Sequence, residues 1–244
     1  MFSLPTESLK GTVSEQEWQA RVDLAACYRL VADMRWGDLI YTHISAKVPG
    51  TEHYLVNAFG LTFDEVTASN LVKVDLDGNI LDDTPYGINP AGFTIHSAIH
   101  EVRHDAECVI HLHTLATISV ASVKGGLKPW SQYSMFSLPS LSYHEYEGLA
   151  VDDAERKRLQ DDLGDTNHML LPNHGGLTLG PTVGDAFMRF YDLQRACEIQ
   201  LALMQSNEEV IEIPQPIIDG IYEQAKVVHS GATGGQKAWP AMLR

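Results

Sequence analysis

No stretch of the 244-residue chain approaches the roughly 20 consecutive apolar residues that a bilayer-spanning helix requires. The N-terminal MFSLPTESLKG lacks a basic flank followed by an apolar core, so no signal peptide is expected and the expected location is the cytoplasm. Cysteine is scarce. Cys27, Cys108 and Cys197 lie far apart among apolar neighbours, which excludes a disulfide framework or a CxxC metal site and predicts reduced, buried thiols. Positive charge is short as well: 17 Lys and Arg against 32 Asp and Glu leave a formal charge of -15, which repels phosphate backbones and argues against nucleic acid as a partner. No GxGxxG or GxSxG occurs, and the GATGG run at 231–235 follows no strand pattern, so a nucleotide-binding loop is not expected. What is present is an ordinary soluble composition, 44% hydrophobic and 20% charged. Its length suits a single domain over residues 1–244.

Periodicity divides the chain into alternating elements. Ser14 with Glu17 reads as a capping box opening a helix to Met34, with Trp18, Val22, Ala25 and Ala26 on one stripe. Strand patterns follow at 41–48, 54–56 and 72–75, the last expected to pair with Ile80-Leu81 across Asp77-Gly78. Helical spacing runs from Phe93 to Val102, a strand covers Cys108-Val109-Ile110, a helix spans 115–123, and a loop rich in Gly, Pro and Ser comes next. Further helices are expected at 152–162, 183–205 and 218–228, with a strand at 169–171 and a turn at Asn173-His174-Gly175-Gly176. The tail from Ser230 to Arg244 is expected to be loose or ordered only against another subunit. Joining the early strands by tight turns predicts a layered α/β domain with a largely antiparallel sheet.

Eleven histidines are the compositional excess. His111-Leu112-His113 ends a strand, and residues two apart on a strand share a face, so both imidazoles can grip one ion. His174, in a glycine-flanked turn, is the best-placed third ligand, and three neutral imidazoles leave coordination positions open, as in catalytic zinc sites. Eleven histidines at random would give about 0.5 HxH pairs, so the pair is not decisive by itself. His96 and His100, four apart on a helix, form a rival pair without the glutamate of an HExxH motif; otherwise His96 is a hydrogen-bonded core residue. His43, His53, His104, His168 and His229 read as surface residues. Tyr133 and Glu145, on apolar-flanked loops, are candidate proton donors.

Several runs carry a resemblance. They are Tyr41-Thr42-His43-Ile44-Ser45, Asn57-Ala58-Phe59-Gly60-Leu61, Thr67 to Asp75, Asn89-Pro90-Ala91-Gly92-Phe93-Thr94-Ile95-His96, Val109 to Thr114, and Asn173-His174-Gly175. In order and spacing they resemble the class II aldolase/adducin family, and within it the adducin head branch, over a core of about residues 15–210 that leaves a C-terminal helix and tail at 211–244 outside it. The resemblance implies a three-layer α/β/α fold around a central, mostly antiparallel sheet of nine strands, assembled as a cyclic homotetramer with active sites at subunit interfaces. It places the family's zinc ligands on His111, His113 and His174, and an intersubunit proton-donating tyrosine on Tyr133. The family aldolases carry their catalytic glutamate four residues before the position of His96, where this chain has Gly92. Their phosphate-cradling residues fall on Phe59, Pro90, Ala91 and Thr42-His43, which makes a phosphosugar a poor substrate.

The sequence therefore supports a divalent-metal enzyme, with Zn2+ first and Mn2+, Fe2+ or Co2+ as alternatives, acting on a C–C bond of a small keto or hydroxy acid or sugar-like substrate by enolate stabilisation. Decarboxylation survives the loss of the glutamate better than aldol cleavage does. Tyr133 would donate the proton, with His96 or Glu145 as lesser candidates. Replacing Gly92 by glutamate is expected to leave metal binding intact. The alternative is a non-catalytic, adducin-like scaffold module, disfavoured by the absence of a basic tail.

Overall fold

The computed structural model describes residues 8–148, 153–228 and 235–244. His229, Asp152 and the first four residues of the GATGG run lie outside the described residues. In chain order the elements are α1 (Glu15–Asp33), β1 (His43–Lys47), β2 (Tyr54–Val56), β3 (Val72–Val74), α2 (Pro90–Val102), β4 (Cys108–Leu112), α3 (Leu115–Ala121), α4 (Gln132–Ser137), β5 (Leu141–Tyr143), α5 (Asp153–Leu163), β6 (His168–Leu171), β7 (Gly175–Gly180), α6 (Val183–Ser206), α7 (Gln215–Val228) and α8 (Gly235–Met242).

Seven strands, rather than nine, form one sheet among the described residues, in the order β3-β2-β1-β4-β7-β6-β5. Every pairing is antiparallel except β5 with β6. Period-two alternation sends the two faces of the sheet into different cores. Ile44, Ala46, Cys108, Ile110 and Leu112 pack with Leu24 and Tyr28 of α1 and Phe187 and Phe190 of α6. Val109, Met169, Leu171, Leu177 and Leu179 face Ile95 and Ile99 of α2 and Leu159 and Leu163 of α5. Helices thus cover both faces, and the architecture is a three-layer α/β/α sandwich. All three cysteines are free and buried.

Several elements differ from expectation for identifiable reasons. Val72–Val74 pairs with β2, and the anticipated hairpin partner is reduced to one bridge between Val74 and Ile80. Gly175–Gly180 is a strand and not merely a turn. Its position between β4 and β6 tolerates little bulk: a Cβ at residue 175 would lie 2.5 Å from the Leu112 carbonyl oxygen and 3.3 Å from the His111 ring. The Gly-, Pro- and Ser-rich loop holds α4 and β5. The tail is not loose over its last residues: α8 docks on α6 through Trp239 against Phe187 (ring centroids 5.8 Å apart), and the indole N–H donates to Asp23 Oδ1 at 3.0 Å. At the start of α1 only half the capping box forms. Ser14 Oγ accepts from the Glu17 amide, while the Glu17 carboxylate turns to Lys73 and the fully buried Arg21.

Candidate metal centre

His111 and His113 leave the end of β4 on one face, and His174 enters from the β6–β7 turn, where Asn173 adopts a left-handed conformation (φ 60°). One nitrogen from each of the three rings lies within 4.8 Å of the others. His111 Nδ1–H donates to the Gly176 carbonyl at 3.2 Å, and His113 Nδ1–H donates to the Asp38 carboxylate at 3.1 Å. Those bonds fix the tautomers, so both Nε2 atoms carry lone pairs. The two bare nitrogens nevertheless face each other at 3.1 Å, and His174 Nε2 lies 3.2 Å from that of His111. Facing lone pairs repel unless a cation sits between them. Tetrahedral zinc at its usual nitrogen distance spaces its ligands by about 3.3 Å, so the donor set fits such an ion. Burial and the neighbouring imidazoles hold His111 well below the ordinary imidazole pKa and His174 at about 4, which keeps lone pairs available for a metal.

A second polar cluster lies directly behind the triad. His43 is opposite His111 in the β1–β4 register, with the ring centroids 5.3 Å apart. Its Nδ1 is 2.8 Å from His96 Nε2; Ser45 Oγ is 2.6 Å from His96 Nδ1 and 2.7 Å from His100 Nε2; His100 Nδ1 is 3.1 Å from the Ala106 carbonyl oxygen. His96 and His100 are therefore joined by a serine hydroxyl and do not face a common ion. His43 and His168, read as surface residues, are each only 4% exposed. Their burial follows from strand positions that place the rings under α2 and against the Ser140 carbonyl respectively.

The clearest correction concerns Gly92. A Cβ there would fall 2.2 Å from His43 Cδ2 and 2.3 Å from His43 Nε2. The imidazole occupies the space through which a side chain at position 92 would leave the helix, so a glutamate cannot be added there without displacing His43.

The remaining candidates lie further out. Tyr133, on α4, packs edge-on to Tyr191 of α6. Glu145 is exposed, but its neighbours are not idle: His144 is buried and hydrogen-bonded to Asp162 at 2.8 Å, and the Tyr146 ring stands edge-on to His174 with centroids 6.2 Å apart. Asp38, Tyr146 and His43 were missed by motif reasoning. For His43 a signal existed, because His43 and Ser45 share a face of β1 just as His111 and His113 share a face of β4.

Comparison with known proteins finds relatives along nearly the whole chain. Residues 22–201 match the family described as the Class II Aldolase and Adducin N-terminal domain. A Pseudomonas aeruginosa protein named by its likeness to class 2 aldolases is 57% identical over 246 residues, covering 100% of this chain and 95% of that protein. The crystal structure of an aldolase II superfamily protein from Pseudomonas syringae superposes with a TM-score of 0.92 at 51% identity, covering 98% of this chain and 96% of the other. Alpha-adducin of Rattus norvegicus is 43% identical over 210 residues, which is 83% of this chain but 28% of that longer protein.

Proposed function

The chain belongs to the class II aldolase and adducin family, and from that membership we propose that it is a divalent-metal-dependent lyase acting on a C–C bond of a small oxygenated substrate, a keto or hydroxy acid or a sugar-like compound. The observation that carries this reading is the pair of bare Nε2 atoms on His111 and His113 held face to face beside His174. Zn2+, or Mn2+, Fe2+ or Co2+ in its place, would supply Lewis-acid polarisation of a substrate oxygen when held by these three imidazoles.

The chain's own groups do the rest. Asp38 and the Gly176 carbonyl hold His113 and His111 in the tautomer that presents Nε2. With glycine at 92 and a neutral imidazole filling the space beside it, the first turn of α2 offers no carboxylate to take a proton from a substrate hydroxyl. Release of carbon dioxide needs no such removal, so decarboxylation is favoured over aldol cleavage. Tyr133 serves as proton donor to a neighbouring subunit's site in a homotetramer, and His96 and Glu145 are lesser donors. Both nitrogens of His96 are already engaged.

The test is elemental analysis of purified protein beside His174→Ala. The expected result is one ion per subunit in the wild type and none in a variant that stays folded, because His174 sits on a turn outside the core. A catalytic screen of keto and hydroxy acids then follows. Likeness to alpha-adducin favours a second reading, a binding module without catalysis, and absence of metal from both proteins after reconstitution would put that reading first.

A further inference from the structure

The three imidazoles of the triad are not held alike. His111 Nδ1–H has the Gly176 carbonyl and His113 Nδ1–H has the Asp38 carboxylate, whereas His174 Nδ1 has no hydrogen-bond partner among the described residues. A metal-bound imidazole ordinarily has its other nitrogen fixed by an acceptor, because that bond sets the orientation of the ring. His174 also lacks the support of a strand, since it stands on the turn between β6 and β7 beside the left-handed Asn173. From outside the triad its ring meets that of Tyr146, with the centroids 6.2 Å apart and the planes at 69°, an edge-to-face pair.

A tyrosine that is 50% exposed on a loop would ordinarily hop between rotamers. Here the chain is tied down on both sides of it. Two residues before Tyr146, the His144 amide donates to the Leu170 carbonyl at 3.2 Å, and the buried His144 ring donates from Nδ1 to Asp162 at 2.8 Å, with Nε2 standing 3.7 Å from Glu155. One residue after it, the Glu147 carboxylate accepts from Arg158 through Nε–H at 2.7 Å and through Nη2–H. Glu155, Arg158 and Asp162 are spaced by three and four residues and so share one face of α5. The same helix is anchored in the core by Leu159 and Leu163. A core-packed helix therefore grips the 144–147 segment at two points, and Tyr146 stands between them against the third ligand.

We propose that Tyr146 is a positioning residue of the metal centre: its ring, held by the clamp of α5 on His144 and Glu147, orients the His174 imidazole in place of the missing hydrogen bond. A ligand ring already held in its binding orientation loses less freedom when an ion arrives, so the contact raises metal affinity. The ring supplies this effect and the phenolic hydroxyl does not. The assignment rests on the metal reading above.

Zinc affinity of the full-length protein, read by competition with a chromogenic chelator, decides it. Tyr146→Ala is expected to bind Zn2+ about threefold to tenfold more weakly than wild type, and Tyr146→Phe, which keeps the ring, to bind within about twofold of it. Asp162→Ala opens one end of the clamp without touching either ring, and is expected to weaken binding by a smaller factor in wild type and by none in the Tyr146→Ala background. Both side chains are about half exposed, so these variants keep the core intact. Equal affinity in wild type and Tyr146→Ala overturns the assignment, as does a phenylalanine variant as weak as the alanine one. Independent effects of Asp162→Ala and Tyr146→Ala overturn the clamp. A wild type that holds no zinc overturns the metal reading together with this one, whereas failure of this assignment alone leaves wild-type zinc binding intact.

Discussion

Gly92→Ala separates two physical effects that have opposite signs. Glycine inside a helix costs about 0.5–1 kcal/mol relative to alanine, so propensity alone makes the substitution stabilising. The structure says otherwise. The added methyl would lie 2.2 Å from His43 Cδ2, 2.3 Å from Nε2 and 2.8 Å from Cγ, where carbon atoms normally approach to about 3.5 Å. The ring must retreat by more than an ångström, which breaks its 2.8 Å bond to His96. Overpacking of this kind costs about 1–3 kcal/mol, and a buried acceptor left bare costs a further 1–3 kcal/mol or so. Against the propensity gain, the net is a loss of about 1–5 kcal/mol, or a melting temperature lower by roughly 2–20 °C in a chain of this size. Denaturant unfolding of the double-mutant cycle with His43→Ala supplies the assay. In the alanine background the ring is gone, so Gly92→Ala should revert to a small stabilisation. Equal effects in the two backgrounds, or a stabilised single variant, would refute the placement of His43 against the helix, and with it the account of why a carboxylate is missing from this position.

Asp38→Ala removes the carboxylate that orients His113, with little effect on stability because that side chain is 41% exposed. Metal affinity, read by chelator competition, should fall about 10- to 100-fold; an unchanged affinity would show that His113 needs no such partner. Burial lowers the His168 imidazole pKa from its ordinary 6.5 to about 3, which keeps the folded ring neutral. Above pH 6.5 folded and unfolded forms are alike neutral there; below it the unfolded ring takes up a proton that the folded ring refuses. Stability is therefore lost as pH falls from about 6.5 toward 3, by about 2 kcal/mol at pH 5. His168→Gln should flatten the stability curve over that interval by the same amount, as measured by denaturant unfolding at several pH values, and a parallel curve would contradict the burial argument.

The sequence determined what local spacing can determine. Apolar stripes gave α1, α2 and α6 within a few residues, because a helix repeats its face every 3.6 positions whatever it packs on. His111 and His113 were legible as a pair because strand geometry alone puts residues two apart on one face, and His174 because its glycine-flanked turn follows an apolar strand. Where tertiary context overrides local preference, the sequence was silent. Gly175–Gly180 becomes a strand because β4 and β6 pair with it on both sides, and Gly235–Met242 docks as a helix where Trp239 finds Phe187 and Asp23. The partnership of His43 with Gly92 joins residues 49 apart whose relation is a shared volume and not a motif. Ser45 between two histidines, and Asp38 behind a third, are likewise contacts set by the register of β1 on β4 and the seating of α2 over both. Periodicity fixes which way a side chain points along its own element, and only the packing of elements decides what it meets there.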